Sequence, residues 1–344
     1  MEKLQANKKG KNFINTLLMG NKAFLMVIIM VVVMSLLSEA FLTPTNLLNV
    51  LRQICVNVVV ALGFTFVIAS GQIDLSVGSM VGFIGVIMAL LMREANAPVF
   101  VAILCGFAVG IGCGALNAAV ISVFSLPPFV VTLATQSLFR GLIYILTEMT
   151  PITRLPDEFV FLGQGYFLGI PVPVYMMAVM IFIMYIVANR TMFGRYVIAV
   201  GGNADAARAS GISILKTRFG IFMNMGICAT VAAIVLTART ASAQVNAGVN
   251  MELDVIAAVV IGGTSMLGGN TNMIGTVFGA VVIGLTSNGL NLLGVETNYQ
   301  IIAKGLLILL ALILDSMSAK FYANLRKKQA LASMEGNENG NLAG

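Results

Sequence analysis

The chain of 344 residues contains no histidine and no tryptophan, and only 10% of it is charged. Without imidazole there is no histidine metal site, no histidine-based triad and no histidine proton relay. A soluble domain carries about 25% charged residues, so this chain lacks the polar side chains that would cover a water-facing surface. The four cysteines, Cys55, Cys105, Cys113 and Cys228, lie inside apolar runs with no C-x-x-C spacing. They read as packing residues rather than as a disulfide frame or a metal site. A G-x-x-x-x-G-K-[ST] phosphate loop is missing too; the nearest approach, "GKN" at Gly10, lacks the hydroxyl that would hold Mg²⁺. No nucleophile–base constellation suggests an enzyme. Repeated strand-length alternation of polar and apolar residues is also absent, which argues against a membrane β-barrel.

What the chain does have is apolar length. Hydrophobic residues make up 58% of it and the mean hydropathy is +0.96. Apolar runs recur from Ala23 to Asp315, many near the roughly 20 residues with which an α-helix crosses a bilayer. The pattern predicts an all-α polytopic membrane protein with about ten transmembrane helices, near 23–42, 54–70, 76–92, 98–123, 128–147, 172–189, 219–241, 253–267, 274–293 and 299–316. The first run follows a basic start but is longer than a signal h-region and is followed by no A-x-A-like site, so it reads as a retained span. A basic tail at 1–22, a transmembrane domain at 23–316 and a second tail at 317–344 complete the layout.

Orientation follows from lysine and arginine. Lys3, Lys8, Lys9, Lys11 and Lys22 lie in the first tail, Arg190, Arg195, Arg208, Lys216 and Arg218 in or beside the segment 190–218, and Lys320, Arg326, Lys327 and Lys328 in the last tail. With ten spans all three regions fall on one side, and the positive-inside rule makes that side the cytoplasm. Glu39, Glu94, Glu148, Asp157, Glu158 and Glu296 fall on the other. The basic tails fit attraction to anionic lipid, with no nucleic acid required.

The segment "GRYVIAVGGNADAARASGISILKTRF" interrupts this pattern. Asn203 is a candidate N-cap, Asp205 sits in the first turn where the helix dipole favours an acid, and Gly211 supplies a stop. The resulting short helix, Asn203 to Ile212 with Ala206, Ala207 and Arg208 in its middle, has almost no apolar face with which to anchor in lipid. Its small side chains suit close contact with another protein.

Five stretches in chain order, "SGQIDLSVGSMVGF" (70–83), "LPPFVVTLATQSLFRGL" (126–142), "GRYVIAVGGNADAARASGI" (194–212), "NMELDVIAAVVIGGTSMLGGNTNMIGTVFGA" (250–280) and "SNGLNLLGV" (287–295), resemble the permeases of ribose-type sugar ABC importers. The resemblance runs from about Phe41 to Asp315. One departure stands out: the family's GGKG-type versions carry a basic residue after the paired glycines, where this chain has "GGNTN". The resemblance implies a multi-pass subunit of the bacterial inner membrane that carries a monosaccharide or a similar small polar solute. Its partners would be a cytoplasmic ATPase that binds the ATP and Mg²⁺, an extracytoplasmic sugar-binding protein, and a second permease copy or a paralogue. It also implies that the short helix, through Asn203, Asp205, Ala206, Ala207, Arg208, Gly211 and Ile212, couples to the ATPase. Broken helices and inverted repeats are equally features of secondary transporters and facilitators, which need neither an ATPase nor a docking helix.

The candidate path is drawn from polar residues inside apolar spans, where each needs a reason. "IDLSVGSMVGFIG", with Asp74, Ser76 and Ser79, and "ELDVIAAVVIGG", with Asp254, look like related broken elements of two inverted halves. Each Asp could instead cap a span at the interface. Asn57, Gln136, Arg140, Asn288 and Asn291 add amide and guanidinium donors suited to sugar hydroxyls, or to helix–helix hydrogen bonds. The glycines of "GFAVGIGCGALNAA" point to close helix packing, and Lys304 either snorkels or pairs internally.

Overall fold

The structure is a computed structural model that describes residues 22–296, 298–307, 309, 310 and 313. The basic tails beyond these residues, and the end of the last anticipated span, lie outside it. Twelve α-helices follow one another: α1 (Lys22–Leu37), α2 (Pro44–Ala69), α3 (Val77–Arg93), α4 (Val99–Val123), α5 (Pro128–Thr147), α6 (Asp157–Gln164), α7 (Val172–Arg190), α8 (Met192–Gly202), α9 (Ala204–Ala209), α10 (Ile214–Thr240), α11 (Met251–Ile261) and α12 (Met273–Leu292). Residues 298–307 are helical as well. Four two-residue strands, β1 (Ile152–Thr153), β2 (Tyr166–Phe167), β3 (Ile170–Pro171) and β4 (Ser242–Ala243), form two small ladders.

Among the described residues six helices, α2, α4, α5, α7, α10 and α12, are long and apolar enough to cross a membrane. Phe100 and Leu104 of α4, Phe129 and Ile145 of α5, and Val179 and Phe182 of α7 point outward. An outer surface so apolar, over helices whose own backbone groups are paired internally, belongs in lipid. The all-α membrane architecture read from the sequence is therefore the one observed, although several helix limits differ. The second run begins at Pro44 rather than 54, because Thr43 caps it through a hydrogen bond from the Asn46 amide and Pro44 fills its first position. The run anticipated at 253–267 is helical only to Ile261, because Gly262 and Gly263 turn the chain.

At the centre stand α2 and α10, packed on each other, with α10 also on α3 and α4 and α2 also on α11 and α12. Small residues allow this closeness. A Cβ on Gly114 would overlap the Phe222 carbonyl, and one on Gly226 would overlap Gly110, while Thr230 Oγ1 donates to the Gly106 carbonyl at 3.3 Å. With no hydrophobic drive between helices in lipid, such contacts carry the packing. Cys55, Cys113 and Cys228 are buried within it as free thiols.

The two ends of the bundle differ in construction. At one, the glycine pairs of "VGGN" and "LGGN" meet the last turn of α2. The Gly269 amide donates to the Ala69 carbonyl at 2.8 Å, and a side chain at Gly201 would collide with that same carbonyl. Asn272, in the stretch where the family pattern has a basic residue, fastens the turn between α11 and α12. Its Nδ2 donates to the Gly262 carbonyl at 2.8 Å and its Oδ1 accepts from the Gly275 amide at 2.9 Å. At the other end, β1 pairs with β4 so that Ile152 faces Ala243 and Thr153 faces Ser242. This ladder holds the segment between α10 and α11 beneath the 150–171 cover.

Candidate functional site

Helix α10 ends in left-handed backbone at Ala241 (φ 50°), and the chain runs irregularly to Asn250, also left-handed (φ 61°), where α11 begins. Between them "SAQVNAG" alternates: Ala243 and Val245 are buried, Gln244 and Asn246 exposed. Thr240 Oγ1 donates to the Ser242 carbonyl at 2.8 Å, Ser242 Oγ returns a bond to the Thr240 carbonyl at 3.0 Å, and Gln244 Nε2 donates to Ser242 Oγ at 2.6 Å. Backbone groups without ladder partners are tolerated at membrane depth only where protein or a water-filled cavity satisfies them.

Such a cavity is present. It encloses about 310 Å³ between Asn57 of α2, Leu236, Thr237 and Thr240 of α10, the loop residues Ser242, Gln244, Asn246, Ala247, Gly248 and Val249, and Met251 and Asp254 of α11. Hydroxyls and amides dominate its polar wall, and the Asn57 amide finds no hydrogen-bond partner among the described residues. Among the described residues Asp254 is the one ionisable member of the lining. Its Oδ2 accepts from Lys304 Nζ at 2.8 Å, so Lys304 pairs internally.

Two other expected residues brace this wall from outside. Gln136 and Arg140 lie one turn apart on α5. Gln136 Nε2 donates to Glu252 Oε1 at 3.0 Å, and the Arg140 guanidinium donates to the carbonyls of Val245 and Ala247, each at 3.0 Å. Gly248 (φ +74°) then touches the start of α3, where a side chain on either Gly248 or Gly78 would overlap the other's backbone.

The segment 70–79 is built differently. Asp74 is fully buried. Its Oδ1 accepts from the Ser76 amide at 2.9 Å and from Ser76 Oγ at 2.6 Å. Asn117 Nδ2 donates to Ser76 Oγ at 2.9 Å, and Ser79 Oγ to the Ser76 carbonyl at 2.9 Å. Asp74 is not the cap of α3, whose N-cap is Ser76, and Asp254 lies inside the first turn of α11, so neither acid is a simple helix cap. Asn288 exchanges reciprocal amide bonds with Asn46, at 2.9 and 3.2 Å, and Asn291 Oδ1 accepts from Gln300 Nε2 at 2.8 Å. These last two asparagines join helices away from the cavity. Of the nine residues proposed for the path, the cavity thus gathers Asn57 and Asp254, with Gln136 and Arg140 behind its loop. Thr237, Thr240, Ser242, Gln244 and Asn246 were missed. The period-two alternation of "SAQVNAG" is the signal that could have found Gln244 and Asn246.

At the opposite end, Asn203 caps α9, its Oδ1 accepting from the Ala206 amide at 2.9 Å, and Asp205 pairs with Arg208 at 3.2 Å in full exposure. Gly211 (φ +83°) ends the turn. Ala206 and Arg208 face outward but Ala207 is buried against the chain itself. Gly211 and Ile212 line a cleft of about 310 Å³ with Phe193, Tyr196, Ser213, Lys216 and Thr217.

Comparison with known proteins adds the decisive observation. Residues 46–312 match the family described as "Branched-chain amino acid transport system / permease component". The chain belongs to this permease family. It is 42% identical over 316 residues to the ribose import permease protein RbsC of Bacillus subtilis, a match covering 91% of this chain and 98% of that protein. The corresponding Escherichia coli K12 protein is 38% identical over 88% of this chain and 96% of its own length. The D-allose transport system permease protein AlsC of the same organism is 35% identical over 86% and 91%. No solved structure matches the chain at a significant level. The protein is a multi-pass membrane permease, and the five stretches that carried the resemblance fall within the matched residues or overlap them.

Proposed function

We propose that this chain is the membrane subunit of an ATP-driven importer for a ribose-like monosaccharide or a similar small polar solute, and that the cavity between α2, α10 and α11 is part of its path. The observation that carries this reading is the character of the wall. About 310 Å³ lined by Asn57, Thr237, Thr240, Ser242, Gln244 and Asn246 offers neutral donors and acceptors to hydroxyl groups, in a relative of ribose and allose permeases. Tight binding is not required there, because in such a system the external binding protein selects the solute.

The remaining assignments extend this reading. Ten spans put both termini and the segment 190–218 in the cytoplasm of a bacterium, with α9 and its flanking cleft facing an ATPase that holds the ATP and Mg²⁺. The broken segments 70–79 and 241–254 then come from two inverted halves. Exposed small residues on α9 and the adjoining cleft support docking, through Asn203, Asp205, Ala206, Arg208, Gly211 and Ile212; buried Ala207 would support the helix from behind.

The test is D-ribose uptake in cells that lack their own ribose permease, with this chain expressed alone or with its ATPase and binding protein. Uptake that needs all three components is expected, and Ala206→Arg should abolish it while leaving the permease inserted. Equal uptake without the ATPase would replace the importer with a facilitator.

A further inference from the structure

Asp254 is an exception in the cavity wall, the single lining residue that can carry charge among the described residues. A carboxylate facing a low-dielectric vestibule focuses a negative potential into it, attracting cations and raising the barrier for anions. Here the carboxylate does not act alone. Lys304 reaches it from the helix 298–307 at 2.8 Å, with the two side chains 25% and 16% exposed. Lys304 itself is not part of the lining. The other charged groups nearby, Glu252 and Arg140, stand behind the loop and are engaged by Gln136 and by the Val245 and Ala247 carbonyls.

We infer that Lys304 is a specificity-determining residue of the path, which holds the vestibule electrically neutral by cancelling the charge of Asp254 and so fits it to uncharged polyhydroxylated solutes. This deepens the proposed transport reading and rests on it for its biological use. The electrostatic claim itself rests on the geometry of the pair. The charge is what matters: a glutamine at 304 would keep a hydrogen bond to Asp254 but leave a net negative wall. An amide at 254 with Lys304 intact would leave a positive one. The pair also fastens helix 298–307 to the cavity wall, so the neutrality of the vestibule depends on that helix staying in place.

The potential can be read without substrate, ATP or any partner. Asn246 is exposed and lines the cavity, so Asn246→Cys provides a reporter thiol. Three of the four native cysteines are buried, and the parent protein supplies the background. The reporter is reacted in nanodiscs with methanethiosulfonates carrying either a trimethylammonium or a sulfonate group, and the ratio of the two rates is measured. Lys304→Met should raise the cation-to-anion ratio about tenfold, and Asp254→Asn should lower it by a similar factor, as expected for one unit charge within about 10 Å at intermediate dielectric. The double variant should return to the parent ratio. Should Lys304→Met not be recovered folded, Asp254→Asn decides alone. A ratio that stays within twofold of the parent in Asp254→Asn would overturn the inference. Failure of D-ribose uptake in the parent, with the ratios behaving as stated, would instead remove only the transport reading.

Discussion

The interruptions at 70–79 and 241–254 touch each other through Gly78 and Gly248, yet one is sealed and the other open. Each carries a glycine and leads into an apolar helix with an acid nearby, Asp74 ahead of α3 and Asp254 in the first turn of α11. In the first, Asp74 turns onto its own neighbour Ser76 and is lost to solvent. In the second, the hydroxyls of Thr240 and Ser242 satisfy the backbone, and Asp254 faces a cavity with Lys304 as its counterion. An intramembrane carboxylate is therefore not by itself a marker of the path; what satisfies it decides its role. The first segment is buried within the bundle, and the second lines a cavity.

The largest effect should come from the contact between them. Valine at position 78 would drive its Cβ into the Gly248 carbonyl, backbone that cannot withdraw, and against the Glu252 carboxylate. Gly78→Val is expected to yield no monodisperse protein on size exclusion in detergent. Gly112→Ala, at a helical glycine with open space around it, should behave as the parent or slightly better. A well-behaved Gly78→Val protein would show that the two segments are not in contact.

Next in size is Asp74→Leu. It removes the acceptor of two Ser76 donors in a buried site, a loss of about 2–4 kcal/mol. Thermal unfolding in detergent should report it as a clear fall in midpoint, whether or not transport is assayed. If Asp74→Leu unfolds with the parent while uptake fails, Asp74 belongs to the path rather than to the buried packing.

Arg140→Gln tests the open segment by loosening it. Two charge-assisted bonds to the Val245 and Ala247 carbonyls are lost, each worth about 1.5–3 kcal/mol at most. The amides of 242–249 should then exchange with deuterium about ten- to a hundredfold faster, with amides of α4 unchanged. Unchanged exchange at 242–249 would mean that the loop holds its shape without the brace.

Much of this architecture was legible in the chain because lipid imposes strong rules. Apolar length marked the helices, Asn203 and Gly211 marked a cap and a stop, and the glycines of α4 marked close packing. The helix limits at Pro44 and Ile261 were less legible, since a cap or a glycine pair overrides average hydropathy. The candidate path was only partly legible. Asn57, Asp254, Gln136 and Arg140 stood out as polar residues in apolar runs, but so did Asn288, whose partner Asn46 is 242 residues away in sequence. A single polar residue carries no signal that separates a helix–helix bond from a pathway contact. Thr237, Thr240 and Ser242 went unnoticed for the opposite reason: small hydroxyl residues at a helix end look like ordinary termination, and only the fold shows that the end opens into a cavity.

The smallest effect on stability, and the sharpest on the comparison, comes from one residue type placed in both regions. Asn117 lies in the sealed segment's network, fully buried and donating to Ser76 Oγ at 2.9 Å. Asn57 lines the open cavity with no partner among the described residues. Truncating each to alanine removes the same amide from two surroundings. Asn117→Ala leaves a buried hydroxyl short of a donor and a small void, and should lower stability by about 1–2 kcal/mol. Asn57→Ala breaks no internal bond, so its stability should stay within about 0.5 kcal/mol of the parent. Its D-ribose uptake should nevertheless fall several-fold at equal expression, because a donor and acceptor for solute hydroxyls is gone. If Asn57→Ala proves the more destabilising of the two, or carries D-ribose at the parent rate, the cavity is not the path and the open segment is structural after all.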